Sequence, residues 1–352
     1  MRLSRLIIRS AWSVSRALAR RLPSGVDKEG SSLRDRFLGI FGPLVLFVLL
    51  VFWGAGLVFG FALVDWGLAG PVSAPGGKAG FGTILYMSGT TFFTLGFGDV
   101  VPLSARGRSL AVLEAATGFA FLALVISYLP VMYSAFSRRE VNITLLDARA
   151  GSPPSATELL RRHGLHFDGA ALDDLLREWE RWAGELLESH ISYPVLSFFR
   201  SQHEHLSWLA ALTMILDACA LLMVGVDTPT GHFSARQARL TFAMARHAIT
   251  DLCQVIVAPP LAPQPERLPP EDLLRLRASL VTAGLRLHEG EEADRWLGEL
   301  RRLYEPYVNA LAERLLFTLP GWLPSANPDD WQTTAWDWEP AVLPPAKEHE
   351  AG

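Results

Sequence analysis

The feature that most constrains this chain is a block nearly free of charge. Residues 37–137 carry three basic and three acidic side chains. Within it lie two long apolar runs. Phe37 to Val64 has no charged residue, and Ser109 to Phe136 is interrupted only by Glu114 and Pro130. At 1.5 Å per residue the first run spans about 42 Å, enough to cross ~30 Å of hydrocarbon with tilt. Pro43 falls near its start, where a helix tolerates proline best. Core helices of soluble proteins rarely run so far without charge, so both runs are read as transmembrane helices.

The flanking charge sets the rest of the organisation. Residues 1–36 carry nine Lys+Arg against three Asp+Glu, whereas residues 138–352 carry 20 against 30. The overall net charge of -4 argues against a strongly basic nucleic-acid binder. Two cysteines, Cys219 and Cys253, are too few for a disulfide scaffold, and 50% hydrophobic residues exclude disorder throughout. The basic amino terminus and Arg138-Arg139 after the second run place both termini in the cytoplasm and the connection outside. Plasma (inner) membrane, multi-pass, is the expected location. The sequon Asn142-Ile143-Thr144 then lies inside and is read as chance, and the cysteines lie in a reducing compartment as buried free thiols. Met1 to Leu22 holds six Arg interleaved with Leu3, Leu6, Ile7, Trp12 and Leu18, too broken for the core of a signal peptide. An amphipathic helix on the inner leaflet and a disordered basic arm both fit it.

A two-span anchor needs only a polar hairpin between its helices. Here the connection is largely apolar from Phe81 to Val101. Phe81 to Phe93 is long enough for a short helix, and Thr94-Leu95-Gly96-Phe97-Gly98-Asp99 and Pro102 follow. Non-helical backbone returning toward a membrane is tolerated only when buried in protein or lining a water-filled path. A dehydrated cation needs oxygen ligands, and Gly96 and Gly98 permit the positive φ that alternates with Leu95 and Phe97 and turns successive carbonyls to one axis. Thr94 adds a hydroxyl at the inner end, and Asp99 adds negative charge at the outer end. Leu95 and Phe97 are expected to pack behind. The short helix aims its negative carboxyl end at the cavity, which favours a cation there.

Thr94 to Asp99 resembles the signature of the potassium channel superfamily, Thr-Val-Gly-Tyr-Gly-Asp and its variants. With a short helix before it, Pro102 after it and an apolar span on each side, residues 37–137 resemble the two-transmembrane, one-pore-loop type. The resemblance implies that the carbonyls of Thr94, Leu95, Gly96 and Phe97, with the Thr94 hydroxyl, are the potassium ligands. It also implies a homotetramer, because one pore loop per chain requires four chains around an axis. Gly118 falls where the family often has a hinge glycine, and close helix packing is the other reading. Pro130 is either a gating kink or the end of the inner helix. Glu114 either braces the short helix and tunes ion occupancy, or snorkels to the outer rim. Two departures stand out: Thr90 occupies the position where some members carry a Glu paired with the filter Asp, and Phe97 lacks the phenolic hydroxyl of Tyr.

Beyond the membrane block the pattern is helical, with helices expected near 155–164, 170–190, 193–226, 234–257, 271–288 and 291–318. Ser155 to Glu158 and Ser234 to Gln237 read as capping boxes. Ser207 to Val226 is apolar, but Asp217 at its centre costs about 2.5 to 3.5 kcal/mol on insertion, so it reads as a buried helix of a soluble bundle. Ala258 to Pro270, with six prolines, reads as a linker or long loop. His190, His203, His205 and His247, with Glu204, Asp217 and Asp251, lack the spacing of a helical zinc or di-iron site and read as ordinary histidines.

The fold expected is an all-α membrane protein: two transmembrane helices with a re-entrant helix and filter, then an all-α cytoplasmic domain. The domains are a basic amphipathic amino terminus (1–36), a potassium-channel-like pore domain (37–137), a helical cytoplasmic domain (138–319) and a Pro/Trp-rich acidic tail (320–352) that is largely unstructured, with Trp331, Trp336 and Trp338 docking. The function expected is a passive, potassium-selective, homotetrameric channel in the lipid bilayer. It is gated or assembled by the helical domain, whose ligand or partner is unknown. It is not an enzyme and takes no cofactor, K+ being the permeant ion; no nucleic acid or metal is implied beyond K+ at the filter. The alternatives are a weakly selective cation channel and a membrane-anchored helical binding or sensor protein with a vestigial pore.

Overall fold

The computed structural model describes residues 2–23, 33–68, 71–75, 77, 80–164, 169–201, 206–229, 231–262 and 266–324. The chain is an all-α membrane protein with only two- and three-residue strands among the described residues. It divides into two compact units, Met1–Pro23 with Arg36–Ala135, and Ser24–Asp35 with Phe136–Gly352.

The first unit begins with α1 (Arg2–Ala19), so the basic amino terminus is helical. Trp12 and Ala19 are buried, and Trp12 meets Phe41 edge to face at 4.9 Å. α2 (Leu33–Leu68) and α4 (Ala105–Ala150) are the two helices long and apolar enough to cross a membrane. Only 11% of the apolar window in each is buried, whereas the core helix of a soluble protein hides most of its apolar surface. Between them stands α3 (Phe81–Phe92), with Ile84, Met87, Ser88 and Phe92 turned inward. A short antiparallel pair, β1 (Val72–Ser73) with β2 (Val101–Pro102), closes the connection.

Both long helices overrun their expected bounds. α2 already includes Arg34, Asp35 and Arg36, so Pro43 sits well inside it rather than near its start. α4 continues through Pro130 to Ala150, so the helix does not end at that proline. A proline removes one helical hydrogen bond, and packing makes up the loss. Met132, Ala135, Phe136, Arg139, Ile143, Leu146 and Ala150 are buried at three- and four-residue spacing.

The second unit is a helical bundle around α7 (Trp208–Val224), 15 of whose residues are buried. α6 (Gly169–Ser192) packs on α8 (Ala235–Ile256), and α8 on α7. α5 (Ala156–Gly164), α10 (Glu291–Arg302) and α11 (Glu305–Leu315) also pack on α7, with α9 (Pro270–Thr282) against α5. The apolar segment at 207–226 is therefore the core of the bundle. Its Asp217 is paired bidentately by Arg267, at 2.6 and 3.2 Å, and accepts from the Tyr304 hydroxyl at 2.5 Å. Arg267 also reaches Glu305 at 3.3 Å and the Pro320 carbonyl at 3.0 Å. The proline-rich stretch is thus pinned to the bundle by a buried ion pair, whose one-sided removal costs about 3–5 kcal/mol.

Other details depart from the sequence pattern. The stretch expected as one helix over 193–226 breaks into a 3-10 turn, Pro194–Phe198, and α7. The last expected helix divides into α10 and α11. Val226–Thr228 (β3), Gly231–His232 (β4) and Arg286–Leu287 (β5) form a small sheet in the order β4-β3-β5. Each capping box is half made. Ser155 Oγ accepts from Glu158 N at 3.3 Å, but the Glu158 carboxylate turns to Arg161 and Arg162. Ser234 Oγ accepts from Arg236 N at 3.3 Å, and Gln237 reaches Glu180 and Thr241 instead. Cys219 and Cys253 are buried free thiols; burial pushes Cys253 up to about 12 and Cys219 higher still. Trp322 docks by its carbonyl on Thr157, while Trp331, Trp336 and Trp338 lie outside the described residues.

His190 is fully buried. Its Nδ1 bonds the Leu186 carbonyl at 2.8 Å, which makes Nε2 the acceptor facing Arg139 Nη1 at 3.4 Å. Burial, with the Arg139 charge adding to it, holds its pKa down at about 3, against 6.5 when unfolded. The unfolded chain therefore binds this proton first. Its contribution to stability is complete above pH 6.5 and is lost as pH falls toward 3. The expected outcome is a fall of about 1.4 kcal/mol per pH unit over that range that is missing in His190→Gln. Denaturant unfolding of both proteins at a series of pH values checks it.

Candidate functional site

The site is the turn that follows α3. The end of that helix is built from Thr90 to Phe93. Phe93 N bonds Gly89 O at 3.1 Å, and Thr94 N bonds Thr91 O at 3.0 Å. Leu95 N and Gly96 N then share the Thr90 carbonyl, at 2.8 and 3.2 Å. The last carbonyls of a helix lack intrahelical donors, and here the following amides supply them. Thr90 is thus a brace through its backbone, while its hydroxyl donates to Met87 O at 2.9 Å.

The turn alternates in handedness. Thr94, Gly96 and Gly98 hold φ of 57, 56 and 76°, and Leu95 and Phe97 between them are not left-handed. Gly96 and Gly98 take this conformation freely, whereas Thr94 incurs about 1–2 kcal/mol. Alternation of this kind turns successive peptide planes the same way, so that their carbonyl oxygens line one side of the chain and can replace ion hydration. Leu95 and Phe97, expected to pack behind, are exposed in the single chain, and so is Phe93.

The outer end has a support that the sequence reading missed. Tyr86, on α3, interacts electrostatically with Asp99. A tyrosine on the short helix, two turns before Thr94, was the available signal. The chain leaving the turn is tied down by Leu103 N to Pro71 O at 3.1 Å, and Arg108 Nε reaches Pro102 O at 3.3 Å. Ser104 caps α4 by accepting from Gly107 N at 3.0 Å.

Behind α3, Glu114 is fully buried and contacts the Ser88 hydroxyl. Ser88 Oγ also reaches Val58 O at 2.8 Å. This places Glu114 against α3, buried rather than reaching for solvent. Asp65, on α2, is 2% exposed, interacts electrostatically with Glu114, and has no hydrogen-bond partner for either oxygen. One turn along α4, Gly118 lies against the last residue of α3. A Cβ there would stand 1.8 Å from Phe92 O and 2.7 Å from Phe92 C. The helix is unbroken through Gly118. Phe92 in turn meets Phe121 at 5.8 Å, so α4 supports the end of α3 on both sides of Gly118.

The histidines do not gather. His190 is buried at neutral charge, His247 pairs weakly with Asp251 at 3.7 Å on an exposed face, and His203, Glu204 and His205 lie outside the described residues. Among the described residues no group of three metal-ligating side chains occurs.

With two membrane helices, an intervening short helix and an alternating turn in place, comparison with known proteins decides the class. Residues 45–134 match the profile of an ion-channel family. This segment is an ion-channel domain. The chain is also 23% identical over 275 residues to the uncharacterized membrane protein YdjJ of Bacillus subtilis (strain 168), covering 78% of each. That alignment is far longer than the ion-channel domain, so the likeness includes part of the helical unit. No solved structure matches the chain.

The Gly118 contact in the ion-channel domain involves backbone atoms, which cannot rotate away from an added methyl group. Gly118→Ala is expected to destabilise the protein by about 1–3 kcal/mol, as overpacking does. Thermal unfolding in detergent, with Gly56→Ala on the open face of α2 as control, measures it.

Proposed function

We propose that the chain is a passive potassium-selective channel of the plasma membrane, a homotetramer with both termini in the cytoplasm, gated or assembled by its helical unit. The observation that carries this reading is the left-handed backbone at Thr94, Gly96 and Gly98 with right-handed or extended residues between. It is the backbone geometry that lines up carbonyls for a dehydrated cation. The ligands are the carbonyls of Thr94, Leu95, Gly96 and Phe97 and the Thr94 hydroxyl, with Asp99 adding negative charge at the outer end. Four copies are required because one turn supplies ligands from only one side of an ion. The exposed Phe93, Leu95 and Phe97 support this reading, since a second copy would cover them.

Glu114, through Ser88, positions α3, and Gly118 sets how closely α4 approaches it. Both are gating candidates because α4 cannot shift without moving the base of the filter. Pro130 leaves one carbonyl of α4 without its helical donor, which makes it the place where the inner helix bends with least loss. The basic face of α1 suits the anionic headgroups of the inner leaflet.

The test is potassium uptake into liposomes containing purified protein, with sodium and barium controls, for wild type and Gly98→Ala. A side chain at φ 76° is strained, so the substitution distorts the filter without touching the bundle. Potassium flux that barium blocks and the variant lacks, by a factor of ten or more as an order of magnitude, is the expected outcome. Equal sodium and potassium flux overturns selectivity and leaves a general cation channel. Barium-insensitive flux that Gly98→Ala retains removes the filter from the mechanism.

A further inference from the structure

The eight residues Pro194–Ser201 grip both long membrane helices at once. From α4, the Arg139 guanidinium donates to Leu196 O at 3.1 Å and to Phe199 O at 3.0 Å. Its neighbour Glu140 accepts from the Ser201 hydroxyl, and Phe136 lies 5.6 Å from the Phe199 ring. From α2, Asp35 accepts from Arg200 at 2.9 Å. Arg200 also donates to Leu315 O and Leu316 O, at 2.9 and 3.0 Å, and stacks on Phe317 at 4.6 Å. All of these contacts lie within the second unit.

Chemistry makes the grip stiff. Arg139 is 3% exposed on its side chain and holds Glu140 at 2.7 Å, so its charge is neutralised and its donors are placed on carbonyls. A guanidinium in such a position cannot let go of those oxygens without leaving buried donors unsatisfied, even with Glu140 still beside it. Arg200 is similar: burial pushes its pKa down to about 10, against the pull of Asp35. The two arginines act on adjacent peptides, since Arg139 holds the carbonyl of Phe199 and Arg200 is the next residue. A shift of this segment therefore moves the first turn of α2 and the 136–140 turn of α4 together. Trp182 Nε1, donating to Arg139 O at 3.2 Å, connects the same turn of α4 to α6.

We propose that residues 194–201 are a yoke through which the helical unit biases the pore, by coupling the ends of α2 and α4 so that neither moves alone. Arg139, Glu140, Arg200 and Asp35 are its positioning residues. A state of the bundle that displaces the yoke pulls on both membrane helices, and α4 is one unbroken helix from the yoke to Gly118. The inference deepens the channel reading and rests on it for its consequence at the pore, but not for the coupling itself.

The test uses full-length protein in liposomes and two readouts. The first is amide hydrogen exchange in Asp35→Asn, a near-isosteric change that removes the charge of an exposed side chain. Exchange is expected to quicken at 194–201 and also at 136–143 of α4, by about threefold or more. Quickening confined to residues near Asp35 and Arg200 overturns the yoke. The second readout is potassium flux for Asp35→Asn, Glu140→Gln and the double variant. Their separate fold-changes should fail to multiply, with a deviation of about threefold, because both act through one element. Multiplying fold-changes overturn the coupling to the pore. If wild type carries no flux, the channel reading fails, and the exchange result still decides whether the yoke exists.

Discussion

The site depends on how the end of α3 disposes of its unpaired carbonyls. The Thr90 carbonyl takes the amides of Leu95 and Gly96. Those two amides are thereby turned back toward the helix and are not available to the carbonyls of the turn. A row of unsatisfied oxygens is costly in a membrane unless a cation occupies it. The left-handed conformations at Thr94, Gly96 and Gly98 are the backbone consequence of the same arrangement. Gly118 belongs to it as well, because only a residue without Cβ lets α4 lie against the carbonyl of Phe92.

Three buried clusters of charge serve different ends. In the helical unit, Asp217 and Glu305 are matched in charge by Arg267 and Arg301, and with Tyr304 they hold a proline-rich loop and the segment at Pro320 on the core. Arg139 and its partners do similar work where α4 enters that unit. The carboxyls of Asp65 and Glu114 have only the Ser88 hydroxyl beside them and no basic partner among the described residues. That imbalance is confined to the support of α3, where the ion-channel domain would do its work. The charge-matched clusters lie where the bundle needs rigidity.

Much of the fold was legible because membranes impose local rules. A charge-free run must be helical, and its length must match the bilayer, so α2 and α4 could be read without knowing any contact. Their ends could not. In the first turn of α2 Asp35 pairs with Arg200, far away in the chain, and beyond Pro130 buried residues every three or four positions hold α4. Arg139 illustrates the same limit: as sequence it is one more basic residue flanking a span, yet it is buried in the bundle and bonded to carbonyls some sixty positions away.

The sequence by itself determined the two spans, the position of the glycine-containing turn after α3, and the identity of Asp217 as a core residue rather than a membrane one. Each follows from residue type and spacing within a short window, where hydrophobicity and glycine freedom act directly. Only the tertiary structure decided what stands behind the filter and what holds the helix ends. Tyr86 with Asp99, Ser88 with Glu114 and the grip of residues 194–201 join groups whose pairing depends on three-dimensional approach. No local preference encodes such pairs, because a hydroxyl, a carboxylate or a guanidinium can be satisfied equally well by water until packing brings one particular partner within reach.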